Sequence, residues 1–136
     1  MTLLSHDKNL RRLAVGVATT TPNFSGIWRN QLGSEMNLII SGNDVSGKYT
    51  TTVSATATGG KLTGTISGTI NGDIIAFIVN WSPIGSITTW VGQMRDDDTG
   101  NPRIDTLWHL AREVPDDEEP TGLWASILAG ADTFTR

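Results

Sequence analysis

From Asn23 onward the chain alternates apolar and polar positions in short stretches, separated at regular intervals by turn residues. Period-two alternation puts successive side chains on opposite faces of a strand. Strands are therefore expected at Phe24 to Gln31, Met36 to Ser41, Val45 to Val53, Lys61 to Gly68, Asp73 to Trp81, Ser86 to Gln93 and Arg103 to Arg112. A last segment opens at Trp124 and ends in Asp132-Thr133-Phe134-Thr135. Turns fall at Leu32-Gly33-Ser34, Gly42-Asn43-Asp44, Ser82-Pro83-Ile84-Gly85 and Asp96 to Pro102, and Asn71-Gly72 is the strongest hairpin signal. No helix longer than a turn or two is expected. Eight sequential strands with short connections fit an all-β fold, an antiparallel up-and-down β-barrel whose closure removes both open edges. At that strand number the interior can hold one small ligand.

Two strands depart from simple inside–outside patterning. In Ser86 to Gln93, Ser86, Thr88 and Trp90 share one face, so two hydroxyls stand beside a large aromatic wall. That combination suits a ligand pocket, although an exposed Ser/Thr edge beside a half-buried Trp gives the same pattern. In Asp73 to Trp81, both Ile75-Phe77-Val79-Trp81 and the opposite face, Ile74-Ala76-Ile78, are apolar. Leu107, opposite Trp108, repeats the anomaly. A solvated antiparallel sheet is polar on one side, so part of the outside is expected to be covered. Another subunit is the simplest cover, and the N-terminal tail folding back is the alternative.

Composition narrows the picture. At 136 residues the chain fits one domain. A formal net charge of −4 argues against nucleic acid or an anionic membrane as partner. With no cysteine, disulfides and thiolate metal sites are excluded. No apolar run approaches the ~20 residues of a membrane-spanning helix. In residues 1–22, Lys8, Arg11 and Arg12 precede Leu13 to Ala18 and then Thr19-Thr20-Thr21-Pro22. The order is that of a secretory leader, but the apolar part is short of the ~7–15 residues such leaders carry. Residues 1–22 read as a flexible or loosely docked tail, with the barrel domain at 23–136.

Six segments in order carry a family resemblance: Gly26-Ile-Trp-Arg-Asn-Gln-Leu-Gly-Ser34, Gly47-Lys-Tyr49, Asn80-Trp81, Ser86-Ile-Thr-Thr-Trp-Val-Gly-Gln93, Ile104-Asp-Thr-Leu-Trp-His-Leu110 and Leu128-Ala-Gly-Ala-Asp-Thr-Phe-Thr135. Together they resemble the avidin and streptavidin family of biotin-binding barrels, over about Asn23 to Arg136. The resemblance implies a non-catalytic protein that needs no cofactor and holds biotin as its ligand. It also implies a homo-oligomer, tetramer rather than dimer, and a secreted or periplasmic location. Asn30, Ser34 and Tyr49 would donate to the ureido oxygen, and Asp132 and Thr51 would accept from its N–H groups. Thr88 would approach the thioether sulfur. Trp81, Trp90 and Trp108, with Leu32 and Leu110, would box the bicyclic ring. Ser86 and the loop Val53, Ser54, Ala55 and Thr56 would receive the valerate carboxylate, and Trp124 would close over a neighbouring subunit's ligand. Three departures touch the tail of the ligand: Ser54 where the family often has glycine, Ala55 where an asparagine stands in streptavidin, and Ile84 for a small residue.

Other chemistries fit less well. Asp96-Asp97-Asp98-Thr99-Gly100-Asn101 lacks the ligand spacing of a calcium loop and reads as a solvated hairpin tip. His109 points away from the face of Trp108, which disfavours a Ser/His/Asp hydrolase. Asp116-Asp117-Glu118-Glu119 reads as an exposed acidic loop, and His6 carries no signal. A barrel for another small ligand and a structural or adhesive β-domain remain as alternatives. The polar set Asn30, Ser34, Tyr49 and Asp132 separates a urea-bearing ligand from a fatty one, which would not need it.

Overall fold

A computed structural model describes residues 6–7, 10, 21–54, 61–117 and 126–136, with 53–54 described by backbone only. Alternation of apolar and polar residues produces eight strands: β1 (Gly26–Arg29), β2 (Glu35–Ser41), β3 (Asp44–Ser54), β4 (Lys61–Asn71), β5 (Ile74–Asn80), β6 (Ser86–Asp96), β7 (Pro102–Arg112) and β8 (Ile127–Thr135). Each pairs antiparallel with its neighbours in chain order, and β1 pairs with β8, so the barrel is closed. The expected all-β up-and-down barrel is the fold. The expected tail falls mostly outside the described residues, as do Ala55 and Trp124.

Boundaries shifted where side chains compete with the ladder. β1 is shorter than Phe24 to Gln31. Asn30 leaves it because its side-chain oxygen accepts the Leu32 and Ser34 amides at 3.0 and 2.9 Å, forming a turn. Trp81 lies just past β5. The Asn71-Gly72 signal marks a real hairpin, but Asn71 pairs with Ile74 and the two-residue loop is Gly72–Asp73. Gly72 and Gly42 each open such a loop with positive φ, 58° and 61°, which suits the twist of a tight hairpin.

The two ends of the barrel differ. The β2–β3, β4–β5 and β6–β7 connections are short and sit at one end, where Ile70, Ile75, Met94 and Ile104 are buried inside. The Asp97 carboxylate organises the β6–β7 tip by accepting from Thr99 and Asn101 amides at 2.8 and 2.9 Å. The opposite end carries the β1–β2 turn and the longer connections after β3, β5 and β7. There the interior is left hollow.

β1 and β8 share a single registered pair, Arg29 with Thr135. Side chains supply the rest of that seam. The Gln31 amide accepts from the Thr133 N–H at 3.0 Å and donates to the Ala131 carbonyl at 3.4 Å, imitating a strand partner. Arg136 donates to the Ser25 and Asn23 carbonyls and lies over the Trp28 ring, 4.2 Å from its centroid.

Candidate ligand-binding site

The hollow at the open end has a volume of about 350 Å³. Its lining comes from every strand region around the open end. The β1–β2 turn brings Asn30, Leu32 and Ser34; β3 brings Tyr49 and Thr51; β6 brings Ser86, Thr88 and Trp90. Trp108 and Leu110 come from β7, Asp132 from β8 and Trp81 from the turn after β5. All twelve were singled out in the sequence. Of the other five, Val53 and Ser54 lie in β3 with side chains not described, and Ala55, Thr56 and Trp124 fall outside the described residues.

A β-bulge helps to aim the polar set. The register of β3 on β4 shifts between Thr50 and Ser54, which takes Thr52 out of the regular pairing. Thr52 uses this freedom to hold the β1–β2 turn: its amide donates to Ser34 Oγ at 3.2 Å and its hydroxyl to the Leu32 carbonyl at 3.0 Å.

Three donors converge at one place. Asn30 Oδ1 is committed to two backbone amides, so its Nδ2 must turn the other way, where it meets Tyr49 Oη at 3.3 Å. Ser34 also hydrogen-bonds to Tyr49. Burial, reinforced by the nearby charge of Asp132, pushes the Tyr49 pKa well above its ordinary value against the pull of Ser34 and Asn30. The phenol therefore keeps its proton at neutral pH and can donate it. Across the cavity Asp132, only 9% exposed, accepts from Trp90 Nε1 at 3.0 Å and from Gln31 Nε2 at 2.9 Å. A carboxylate has about four acceptor positions, so capacity remains for a ligand N–H.

The walls are rigid and apolar. Trp90 lies between Tyr49 and Phe77, stacked at centroid separations of 4.9 and 4.8 Å. Trp81 meets Tyr49 edge-on at 5.8 Å and donates its indole N–H to Thr88 Oγ1 at 2.9 Å. That bond leaves the Thr88 proton free to point elsewhere. Gly130, paired with Trp108, lets the third indole lie close against β8: an added Cβ there would fall 2.3 Å from the ring.

Three contributors escaped the site reading of the sequence. Leu62 lines the cavity, and alternation in β4 with Ile66 and Ile70 was the signal for it. Ile84, noted only as a departure, is itself part of the lining. Gln31 clamps Asp132 from a turn, and nothing in the local pattern marks it out from its neighbours.

An acceptor and clustered donors inside an indole-walled barrel are the arrangement that the sequence resemblance implies. The profile of the Avidin family matches residues 18–136. The chain belongs to the avidin family. Avidin of Gallus gallus is 32% identical over 135 residues, spanning 94% of this chain and 87% of that protein. Among solved structures, xenavidin superposes with a TM-score of 0.70 at 30% identity, covering 86% of this chain and 99% of the other. Rhizavidin in complex with biotin gives a TM-score of 0.66 at 32% identity, covering 83% of this chain and 91% of that one. The biotin-binding protein from chicken gives 0.73 at 30% identity, with coverage of 87% and 98%.

Proposed function

We propose that this avidin-family barrel binds biotin or biotinylated molecules, without catalysis. The observation that carries the reading is the polar set at the deep side of an otherwise apolar hollow. Asn30 Nδ2, the Ser34 hydroxyl and the Tyr49 phenol converge, and Asp132 faces the cavity from across it. A cyclic urea matches that set. Its oxygen takes up to three donors, and each N–H needs an acceptor, with Asp132 for one and Thr51 for the other. Burying a urea unpaired would cost several kcal/mol, so an apolar pocket without this set would reject it. Asp132 makes the bond charge-assisted and draws the urea toward an oxyanion-like form. Trp81, Trp90 and Trp108 then enclose the bicyclic ring, with Leu32 and Leu110 beside them and Thr88 near the sulfur. Ser86, with Val53, Ser54 and Ala55, receives the tail. Because the barrel holds these groups in place beforehand, little ordering is left to oppose binding.

The reading includes a homotetramer with Trp124 reaching over the site of a neighbouring subunit. An asymmetry of the outer surface supports assembly. On β5 to β8 the outward register line Ala76, Val91, Leu107 and Ala131 is apolar, with Val91 57% and Leu107 65% exposed. Ile74, Ile78, Ile87 and Ile127 add to the same face. The outward face of β4 carries Thr63, Thr65, Ser67 and Thr69 instead.

A melting experiment with saturating biotin tests the function. A ligand that binds only the folded state raises the melting temperature, by an amount that grows with concentration over Kd. The expected result is a marked upward shift. A flat response would return the barrel to the alternatives of another small ligand or a structural role.

A further inference from the structure

Among the described residues that line the hollow we assign to biotin, none carries a cationic side chain. Among the residues lining it, the ionisable ones are Asp132 and Tyr49. Its outer lip, where a ligand tail would leave, is apolar at Leu32, Ile84 and Leu110 and polar at Ser86. Ser86 is shared with a second cavity of about 270 Å³ that continues over the rim. That neighbour reaches the outer edge of the barrel, since the outward Ile87 and Ala111 line it together with Asn80, Arg112 and Glu113.

Arg112 is placed there by register. It pairs with Ser86, as Leu110 pairs with Thr88 and Trp108 with Trp90. Paired residues in an antiparallel ladder project from the same face. Arg112 is therefore the next member of the inward series Thr106, Trp108, Leu110, one step beyond the hollow. It is exposed, and its side chain makes no ion pair or hydrogen bond among the described residues. Its neighbour Glu113 is fixed by its backbone, donating its amide to the Gly85 carbonyl at 2.6 Å. Arg112 thus brings a guanidinium with unspent donors to the place where the hollow opens, next to Ser86.

We propose that Arg112 is a specificity residue that makes this site prefer a ligand tail ending in a free carboxylate over the same tail capped as a neutral amide. The proposal rests on biotin as the occupant of the hollow. The guanidinium matches a carboxylate in planar geometry, whereas an amide has no charge to offer it. Glu113, the carboxylate beside it, weakens the preference without cancelling it, since Arg112 occupies the inward register position and Glu113 follows it.

The test compares biotin and biotinamide on the wild-type protein and on Arg112→Gln and Arg112→Lys, by competition and by dissociation rate, at low and high sodium chloride. Wild type is expected to hold biotin about two- to five-fold tighter than biotinamide at low salt, the factor an exposed charge pair supports. High salt should shrink that ratio. Arg112→Gln should bring the ratio to one by weakening biotin alone, and Arg112→Lys should keep part of it. Melting temperatures of the unliganded variants should match wild type, as expected for an exposed side chain. A wild-type ratio of one, or an Arg112→Gln ratio equal to a wild-type preference, would overturn the proposal. If neither ligand binds wild type, the assignment of the hollow to biotin fails, and this preference with it.

Discussion

Asp132 and Tyr49 show how burial changes what ordinary side chains can offer to the hollow. Asp132 sits inside the barrel with Trp90 and Gln31 donating to its two oxygens, so its position is set before any ligand arrives. Asp132→Ala leaves a ligand N–H, the Trp90 indole N–H and one N–H of the Gln31 amide without their acceptor. We expect biotin binding to weaken by about 3 kcal/mol, on the order of a hundredfold in Kd. An unaltered dissociation rate would show that Asp132 does not touch the ligand. Tyr49 makes a different prediction. Its folded pKa is raised above the ordinary value near 10, by burial first and by Asp132 second. Above pH ~10 the unfolded chain loses a proton that the folded chain keeps. The unfolded state then binds fewer protons, and stability falls as pH rises. The melting temperature should drop above pH ~10 in wild type and drop less in Tyr49→Phe.

At the scale of elements, the strands are positioned by exceptions to regular pairing. The register shift in β3 takes Thr52 out of the regular pairing, and Thr52 ties the β1–β2 turn to the rim. The weak β1–β8 seam is completed by Gln31, which also clamps Asp132, so closure of the barrel and geometry of the site share one side chain. Asp105 joins three strands through Arg95 and Arg103 and through Thr133 at 3.2 Å. Partial desolvation pushes its pKa up, but the two arginines outweigh that and hold it below the usual range. Gly130 is the clearest place where one strand shapes the wall made by another. Gly130→Ala should force the Trp108 indole inward, costing about 1–3 kcal/mol of stability as overpacking does and weakening biotin binding. Intrinsic tryptophan fluorescence and a biotin off-rate together would check this, and normal values for both would mean that the ring has room to spare.

For the whole molecule, the apolar outward line of β5 to β8 is the feature that a lone barrel leaves unsatisfied. Leu107→Lys puts a charge at its centre, next to Val91 and Ala131 in register. If the proposed assembly uses this face, that variant should have a smaller mass than wild type by light scattering, and if Trp124 covers a neighbour's site as proposed, Trp124→Ala should speed biotin release. If Leu107→Lys keeps the wild-type mass, that face is not the subunit contact. If Trp124→Ala releases biotin at the wild-type rate, the lid is wrong.

Alternation and turn chemistry by themselves determined the strand count, which face of each strand turns inward and the pairing of the strands joined by tight hairpins, because those follow from local periodicity and from connections too short to permit other pairings. They also placed Ser86, Thr88 and Trp90 on one face and Leu107 opposite Trp108, while the roles of these residues at a ligand came from the family resemblance. Tertiary structure alone decided the rest. Asn30, Tyr49 and Asp132 lie far apart in the chain, and only the curvature of a closed sheet brings them around one hollow. Gln31 and Arg112 were illegible for the same reason: the first acts through a strand about a hundred residues away, and the second gains its meaning from the register that sets it beside Ser86. Periodicity is a property of neighbours along the chain, whereas convergence is a property of the closed barrel.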